Sequence, residues 1–140
     1  MTVLFSRKCE YALQSLLFLA KHQDSGPVAA EMIASELDMS REFISKTLQS
    51  LVKEGIVLSQ RGKAGGFRLH KSPDEISLLD VVLIIDGNGV FQDCVLGLAH
   101  CGSDEPCPVH NSWGPLRDRV REMLAQTSLA SIQGGEVISA

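Results

Sequence analysis

The strongest constraint on the fold is a helical period in residues 43–52, bounded by signals for a helix start and a helix end. Apolar side chains and one threonine recur there at i, i+1, i+4, i+5, i+8 and i+9, the 3.6-residue period of an amphipathic helix. Ser40 is placed to cap its start, and Gly55 to end it. Another helix, Val28 to Leu37, precedes it across a two-residue turn. The segment therefore predicts two helices joined by a tight turn.

The outer face of the second of these helices carries mainly hydrogen-bonding side chains. Any amphipathic surface helix has a polar outer face, but the short helix and tight turn before it favour a helix-turn-helix recognition helix. The N-terminal part of such a helix approaches base edges in the major groove. The candidate DNA contacts are therefore Ser40, Arg41, Glu42, Ser45, Lys46 and Gln49, with Lys53 farther along the same face.

Residues 56–69, IVLSQRGKAGGFRL, predict a two-stranded hairpin with a glycine-rich tip. The segment lacks Gly-Lys-Ser/Thr and Gly-x-Gly-x-x-Gly, and no helix follows directly, so the sequence disfavours a nucleotide-binding loop. After a helix-turn-helix, such a hairpin is typical of the wing of a winged helix. Arg61, Lys63 and the backbone of Gly65 and Gly66 are its candidate contacts to phosphates or the minor groove. Glycines at a hairpin tip also serve turn geometry, so Arg61 is the more informative residue.

The charge distribution supports a polyanionic partner, although the net charge of the chain is -4. Residues 1–73 have a net charge of +3 and residues 74–140 a net charge of -7. Within residues 41–71 the net charge reaches +5, from seven basic and two acidic side chains. Such a local cationic patch is also compatible with a merely solvated face. Together with the helix-turn-helix pattern it favours binding to nucleic acid.

Length and composition limit the class of protein. A chain of 140 residues with 44% hydrophobic and 21% charged residues suits one globular domain rather than a disordered chain. The longest apolar stretches are too short to cross a membrane, and no leader peptide is recognisable. We expect a cytoplasmic protein with no membrane partner. The first predicted helix, Arg7 to His22, carries Cys9 on its apolar stripe, where a thiol is most simply a small buried hydrophobe.

The other three cysteines lie close together in a loop bent by glycines and prolines. Cys94, Cys101 and Cys107 have the spacing C-x6-C-x5-C, and His110 follows as C-x2-H. Such a loop is suited to thiolates that converge on one metal ion or cluster. A disulfide is disfavoured by the odd number and a reducing compartment. A structural Cys3His zinc site and simple redox thiols remain alternatives.

The remaining elements are a short apolar helix, a long terminal helix and a tail. The short helix, Ser77 to Asp86, begins with Ser77 and Asp80 as a capping box, which makes Asp80 a capping rather than a catalytic residue. The terminal helix, about Trp113 to Ser128, is amphipathic, and we expect it to pack against a partner subunit. We expect a flexible tail over residues 129–140.

This order of elements resembles the IscR/NsrR-type (Rrf-type) family of winged-helix iron-sulfur transcription regulators. The resemblance covers roughly residues 1–128, and its most specific parts are the RGxxGGF wing and the cysteine triplet that ends in CPVH. It implies a mainly helical fold with a β-hairpin wing and a long C-terminal dimerisation helix. The expected division is a DNA-binding region over 1–75, a cysteine loop with a dimerisation helix over 76–128, and the tail.

The resemblance also implies a cofactor. Cys94, Cys101 and Cys107 match the three cluster-binding cysteines, and Arg61 matches the wing arginine that enters the minor groove. His110 stands where the 2Fe-2S branch has a histidine ligand, while Glu10 stands where the 4Fe-4S branch has an aspartate donated by the partner subunit. The first cysteine gap of six departs from the five of both branches.

The function that follows is that of a homodimeric transcription repressor, not an enzyme. Its affinity for a near-palindromic operator would depend on the cluster, and the signal would be nitric oxide, oxygen, iron supply or cluster supply. A cluster-free or zinc-bound winged-helix regulator is the alternative, acting through thiol chemistry or a protein partner. An enzyme with Cys and His as nucleophile and base is disfavoured, because no third orienting residue is recognisable. No small-molecule substrate is expected.

Overall fold

The computed structural model describes residues 4–98 and 107–133 of the chain. Its helices and strands, in chain order, are α1 (Arg7–Lys21), α2 (Ala30–Leu37), α3 (Arg41–Lys53), β1 (Val57–Gln60), β2 (Gly66–Leu69), α4 (Leu78–Ile85), α5 (His110–Gln126) and α6 (Leu129–Gln133). Single 3-10 turns lie at Gln23–Ser25, Pro73–Glu75 and Gly89–Phe91. This architecture confirms the predicted mainly helical fold with a β-hairpin wing. None of the helices in the described residues is long and apolar enough to span a membrane.

Helices α2 and α3 form the predicted helix-turn-helix. The turn bends at Asp38, whose backbone is left-handed with φ 52°. The Ser40 hydroxyl accepts a hydrogen bond from the Phe43 N–H at 3.2 Å, which caps α3. After α3, Gly55 has φ +76°, the conformation expected of a glycine just beyond a helix end. The cap and stop signals read from the sequence are confirmed.

Strands β1 and β2 form the wing as an antiparallel pair, with Val57 opposite Leu69 and Gln60 opposite Gly66. Residues 61–65 connect them. The wing is anchored to the core because Val28 and Phe67 exchange two backbone hydrogen bonds of 2.8 Å each. This bridge explains why α2 begins at Ala30 and not at the predicted Val28: the backbone of Val28 is extended and pairs with β2.

The main core lies around α1, against which helices α2, α3, α4 and α6 pack. Ser6 caps α1 by accepting a hydrogen bond from the Cys9 N–H at 3.1 Å. The fully buried aliphatic side chains of this core include Leu16, Ile33, Ile44, Leu48, Leu51, Ile76, Val81 and Leu129. Burial of such side chains stabilises the fold by roughly 1.5–3 kcal/mol each, before the entropic cost of ordering the chain.

A second, smaller core joins α1 and α4 to α5. It consists of Cys9, Val82, Phe91 and Leu124, all buried. The predicted burial of Cys9 is confirmed, since its side chain is 0% exposed. The predicted capping box is also present: Ser77 Oγ accepts from the Asp80 N–H, and the Asp80 carboxylate accepts from the Ser77 N–H, both at 3.0 Å. This second core places the residues that precede the cysteine loop against the helix that follows it.

The C-terminal part differs from the prediction in two ways. Helix α5 begins at His110, three residues before the expected Trp113, and it ends at Gln126. The predicted flexible tail is wrong for its first residues, which form α6. Leu129 is fully buried, and its N–H donates to the Ile76 carbonyl at 2.9 Å. Residues 134–140, the rest of the predicted tail, lie outside the described residues.

Candidate nucleic-acid interface and cysteine loop

The outer face of α3, the wing and the start of α2 enclose an open groove of about 350 Å³. The recognition-helix and wing residues predicted from the sequence meet here. The predicted residues that line the groove are Arg41, Ser45, Gln49, Lys63, Gly65 and Gly66. Glu42 and Lys46 lie beside it, around a second open concavity that Arg41 and Ser45 also line. Arg61 is exposed in the connection between the strands, and Ser40 is the cap that starts α3.

Two carboxylates lie among these cations. Glu31 Oε1, in the first turn of α2, is 2.6 Å from Arg41 Nε. Glu42 Oε1 is 3.1 Å from Lys46 Nζ, one turn apart on α3. Sequence pattern alone does not link Glu31 to Arg41, because the nine residues between them run through the rest of α2 and the turn before α3. Only the angle between α2 and α3 brings the two side chains together.

Close packing explains two of the wing glycines. A Cβ atom on Gly66 would overlap the Val28 carbonyl, and the φ of this residue is +150°. A Cβ atom on Gly65 would overlap the Gln60 carbonyl. Both glycines are therefore needed to close the hairpin and seat it on the core, in addition to any exposure of their backbone amides to DNA. At Gly62, by contrast, nothing lies within 4 Å of a Cβ position.

The cysteine loop is described only at its two ends. Cys94 and Cys107 are each 7% exposed, while Cys101 lies outside the described residues. The Leu96 N–H donates to Cys94 Sγ at 3.4 Å. The His110 N–H donates to the Cys107 carbonyl at 3.0 Å, so His110 begins α5 directly after this cysteine. Both cysteine side chains are thus largely buried, and Cys107 directly precedes the start of α5.

Side chains of α5 bind the backbone that leads into Cys94. The Asp93 carbonyl accepts hydrogen bonds from Trp113 Nε1 at 3.3 Å and from Arg117 Nη1 at 3.1 Å. One turn later, Arg121 Nη1 donates to Asn88 Oδ1 at 3.0 Å, and its guanidinium lies 5.4 Å from the centre of the Phe91 ring. The position of the loop is therefore tied to the position of α5.

The predicted ligands come from different elements. Within residues 4–98 and 107–133, no three His, Cys, Asp or Glu side chains are gathered closely enough to hold a metal ion. The predicted ligand set also includes Cys101, which lies outside this part of the chain. Glu10 lies in the first turn of α1, next to Cys9 in sequence, whereas His110 lies at the start of α5.

Cys9 is chemically unlike a cluster ligand. Burial, together with the nearby carboxylates of Asp86 and Glu10, raises the pKa of the Cys9 thiol from its ordinary value of 9.0 to about 12. Because a metal ligand must be a thiolate, such a thiol is poorly suited to bind metal. The division of the four cysteines into one core residue and three loop residues is consistent with this chemistry.

Comparison with known proteins places this geometry in a family. The family model Rrf2, described as an iron-dependent transcriptional regulator, matches residues 5–134. The chain belongs to the Rrf2 family. It is 32% identical to a candidate helix-turn-helix-type transcriptional regulator of Aquifex aeolicus, over 93% of this chain and 91% of the relative. It is 29% identical to the regulator IscR of Photorhabdus laumondii, over 94% of this chain and 79% of that protein.

Two solved structures of regulators have the same fold. CymR, the global cysteine regulator of B. subtilis, superposes with a TM-score of 0.78 at 27% identity, covering 94% of this chain and 97% of that one. IscR from T. potens gives a TM-score of 0.73 at 26% identity, covering 94% and 85%. The Rrf2 protein described here is therefore a DNA-binding transcriptional regulator and not an enzyme.

Proposed function

We propose that this Rrf2 protein is a homodimeric repressor whose affinity for DNA is controlled by an iron-sulfur cluster bound at Cys94, Cys101 and Cys107. The observation that carries the proposal is the burial of Cys94 and Cys107 at the two ends of a loop fastened to α5. The Leu96 N–H supports it further, since hydrogen bonds to cysteine sulfur tune and stabilise bound clusters. The similarity to IscR proteins points the same way.

The donor set fits a cluster. Three thiolates would come from the loop, and the fourth ligand would be His110 of the same chain or Glu10 of the partner subunit. His110 is half-buried at the N-terminus of α5, three residues after Cys107. When bound, the cluster would supply metal–thiolate bonds that nitric oxide, oxygen or iron depletion can break.

The described contacts suggest how loss of the cluster would reach the DNA-binding residues. Trp113 and Arg117 donate to the Asp93 carbonyl, so a displacement of this end of the loop would be transmitted to α5. At the other end of α5, the Thr127 carbonyl accepts from the Leu78 N–H at 2.9 Å, and α6 packs against α1. Loosening the loop would therefore shift α5 relative to the winged helix. We expect the cluster-bound form to bind its operator more tightly.

The dimer is proposed from the apolar surface of α5. Leu116 and Met123 are 56% and 52% exposed and lie seven residues apart on one side of the helix. Val95, Leu96 and Leu98 at the edge of the cysteine loop are exposed as well. A two-fold dimer through α5 would present two recognition helices to half-sites about one helical turn apart, and hence to a near-palindromic operator.

The proposal is tested first by purifying the protein without oxygen and measuring its visible absorption, iron and sulfide. We expect a coloured protein with iron and sulfide in cluster ratio, and loss of both in Cys101→Ala and Cys107→Ala. Cys9→Ala is the matched control and should keep the cluster, because Cys9 belongs to the core. His110→Ala and Glu10→Ala, compared with each other, identify the fourth ligand. A colourless, iron-free parent protein after attempted reconstitution would refute cluster binding.

The wing is tested by the salt dependence of DNA binding. Lys63 is exposed at the groove, and we propose that it contacts phosphate. Lys63→Ala should weaken binding to all sequences alike and reduce the slope of log affinity against log salt by about 0.9. Lys21→Ala, which removes the same charge at the exposed end of α1, should leave the slope unchanged. Equal slopes for parent and Lys63→Ala would remove Lys63 from the phosphate contacts.

A second candidate function is favoured by the CymR structures, one of which is an oxidised form from Staphylococcus aureus. In that case the loop cysteines would bind zinc or act as redox thiols, and a protein partner would supply the signal. Stoichiometric zinc in a colourless protein, or a reversible disulfide that changes DNA affinity, would select this candidate.

A further inference from the structure

The ion pair between Glu31 and Arg41 lies inside the surface that we assign to DNA. Glu31 lines the same groove as Arg41, Ser45 and Lys63. Its carboxylate therefore stands where DNA phosphates would approach. A carboxylate at such a place lowers the affinity for every duplex, because it repels the phosphate backbone.

The stability of the fold does not account for this arrangement. The side chains of Arg41 and Glu31 are 70% and 61% exposed, and ion pairs between exposed side chains contribute about 0–1 kcal/mol. The first turn of α2 favours an acidic residue through the helix dipole, again by less than about 1 kcal/mol. Neither contribution to stability requires the Glu31 carboxylate to contact Arg41, the first residue of the recognition helix.

The contact geometry offers a functional reason. Glu31 contacts Arg41 at Nε, and this contact does not use the terminal edge of the guanidinium that Nη1 and Nη2 form. These two groups can make the bidentate contact with guanine O6 and N7. The pair as a whole carries no net charge, so Arg41 in this state adds little to phosphate attraction but can still donate to a base edge.

We propose that Glu31 is a specificity-determining residue: it neutralises and orients Arg41, so that Arg41 contributes to base recognition and not to non-specific phosphate binding. The inference rests on the proposed DNA surface. Specific interfaces commonly combine a favourable contact with the right partner and a repulsive element against wrong ones. Here Arg41 would supply the favourable contact, and the carboxylate of Glu31 would supply the repulsive element.

The test uses the whole 140-residue chain and two kinds of DNA. One is a duplex selected by the parent protein from a random pool, and the other is mixed-sequence genomic DNA. The specificity ratio is the affinity for the first divided by the affinity for the second, measured over a range of salt. For Glu31→Gln we expect tighter binding to mixed-sequence DNA by about fivefold, a steeper salt slope by about 0.9, and a specificity ratio lower by about fivefold.

Two further variants distinguish orientation from simple repulsion. Glu36→Gln removes the same charge from an exposed position of α2 outside the groove, and it should leave the ratio unchanged. In an Arg41→Ala background, Glu31→Gln should no longer lower the ratio, because the residue that it orients is gone. An undiminished effect in that background would overturn the proposal in favour of general repulsion.

The outcomes separate this inference from the function on which it rests. If the parent selects a sequence and Glu31→Gln has the same ratio, the role of Glu31 is refuted and the DNA surface stands. If the parent selects no sequence from the pool, the proposed DNA surface fails, and the assignment of Glu31 fails with it.

Discussion

At the scale of single residues, the Cys9 thiol should make stability depend on pH. Its pKa is raised from 9.0 to about 12 in the folded protein, so the folded state keeps the proton over a range in which the unfolded chain loses it. The stabilisation is therefore fully present below about pH 9 and is lost as pH rises towards 12.

We expect the free energy of unfolding of the parent to fall by about 1 kcal/mol more than that of Cys9→Ala between about pH 7.5 and about pH 10. Urea unfolding of both proteins at the two pH values measures this difference. The comparison is between slopes with pH, since Cys9→Ala also changes packing in the second core. Parallel pH profiles would show that Cys9 titrates normally in the folded protein.

At the scale of elements, the seat of the wing depends on the lack of a side chain at Gly66. Gly66→Ala would force a Cβ atom into the Val28 carbonyl and break the bridge between Val28 and Phe67. Gly62→Ala is the matched control, because its φ is also positive, +102°, but the space around it is open. We expect Gly66→Ala to destabilise the protein by about 2 kcal/mol more than Gly62→Ala, measured by urea unfolding. Equal losses would mean that backbone strain alone matters.

The elements also show what the sequence could predict. Ser40, Gly55 and the Ser77 capping box act on neighbours within a few residues, so their patterns marked helix ends correctly. Helix α6 was missed because LASIQ has no helical period, and Leu129 is fixed by a hydrogen bond to Ile76, more than fifty residues away.

The candidate site likewise contains residues that the sequence predicted and residues that it did not. The recognition-helix and wing positions followed from local pattern, and the structure brings most of them to one groove. The residues that contact these positions, or that hold the cysteine loop in place, did not follow from local pattern. Glu31 reaches Arg41 only through the packing of α2 on α3, and the donors to the Asp93 carbonyl come from α5, twenty or more residues along the chain.

At the scale of the whole molecule, α5 should hold the dimer together. Leu116→Glu should convert the dimer to monomer at micromolar concentration, because it places a charge in the proposed apolar contact. Ala125→Glu is the control: position 125 is exposed and lies about 200° around the helix from Met123. Sedimentation equilibrium measures both variants. An unchanged dimer in Leu116→Glu, or equal dissociation in Ala125→Glu, would place the interface elsewhere.

The proposed coupling between a bound cluster and DNA would also be a property of the whole molecule, and Arg117 is the residue at which we expect a substitution to weaken it. Its Nη1 binds the carbonyl that precedes Cys94, from within the helix that leads to α6 and the main core. Arg117→Met keeps a long side chain for packing but removes this donor. Cluster absorbance should therefore persist, because no proposed ligand is changed.

What should change is the ratio of DNA affinities between cluster-bound and cluster-free protein. In the parent, that ratio expresses the coupling free energy of the two sites. We expect Arg117→Met to reduce it by about three- to tenfold, while Arg119→Met, on an exposed part of the same helix, leaves it unaltered. A ratio that Arg117→Met does not change would mean that the signal does not depend on the bond from Arg117 to Asp93. The routes left to test would then include Trp113, which donates to the same carbonyl, and the second core, where Phe91 packs with Leu124 and Cys9.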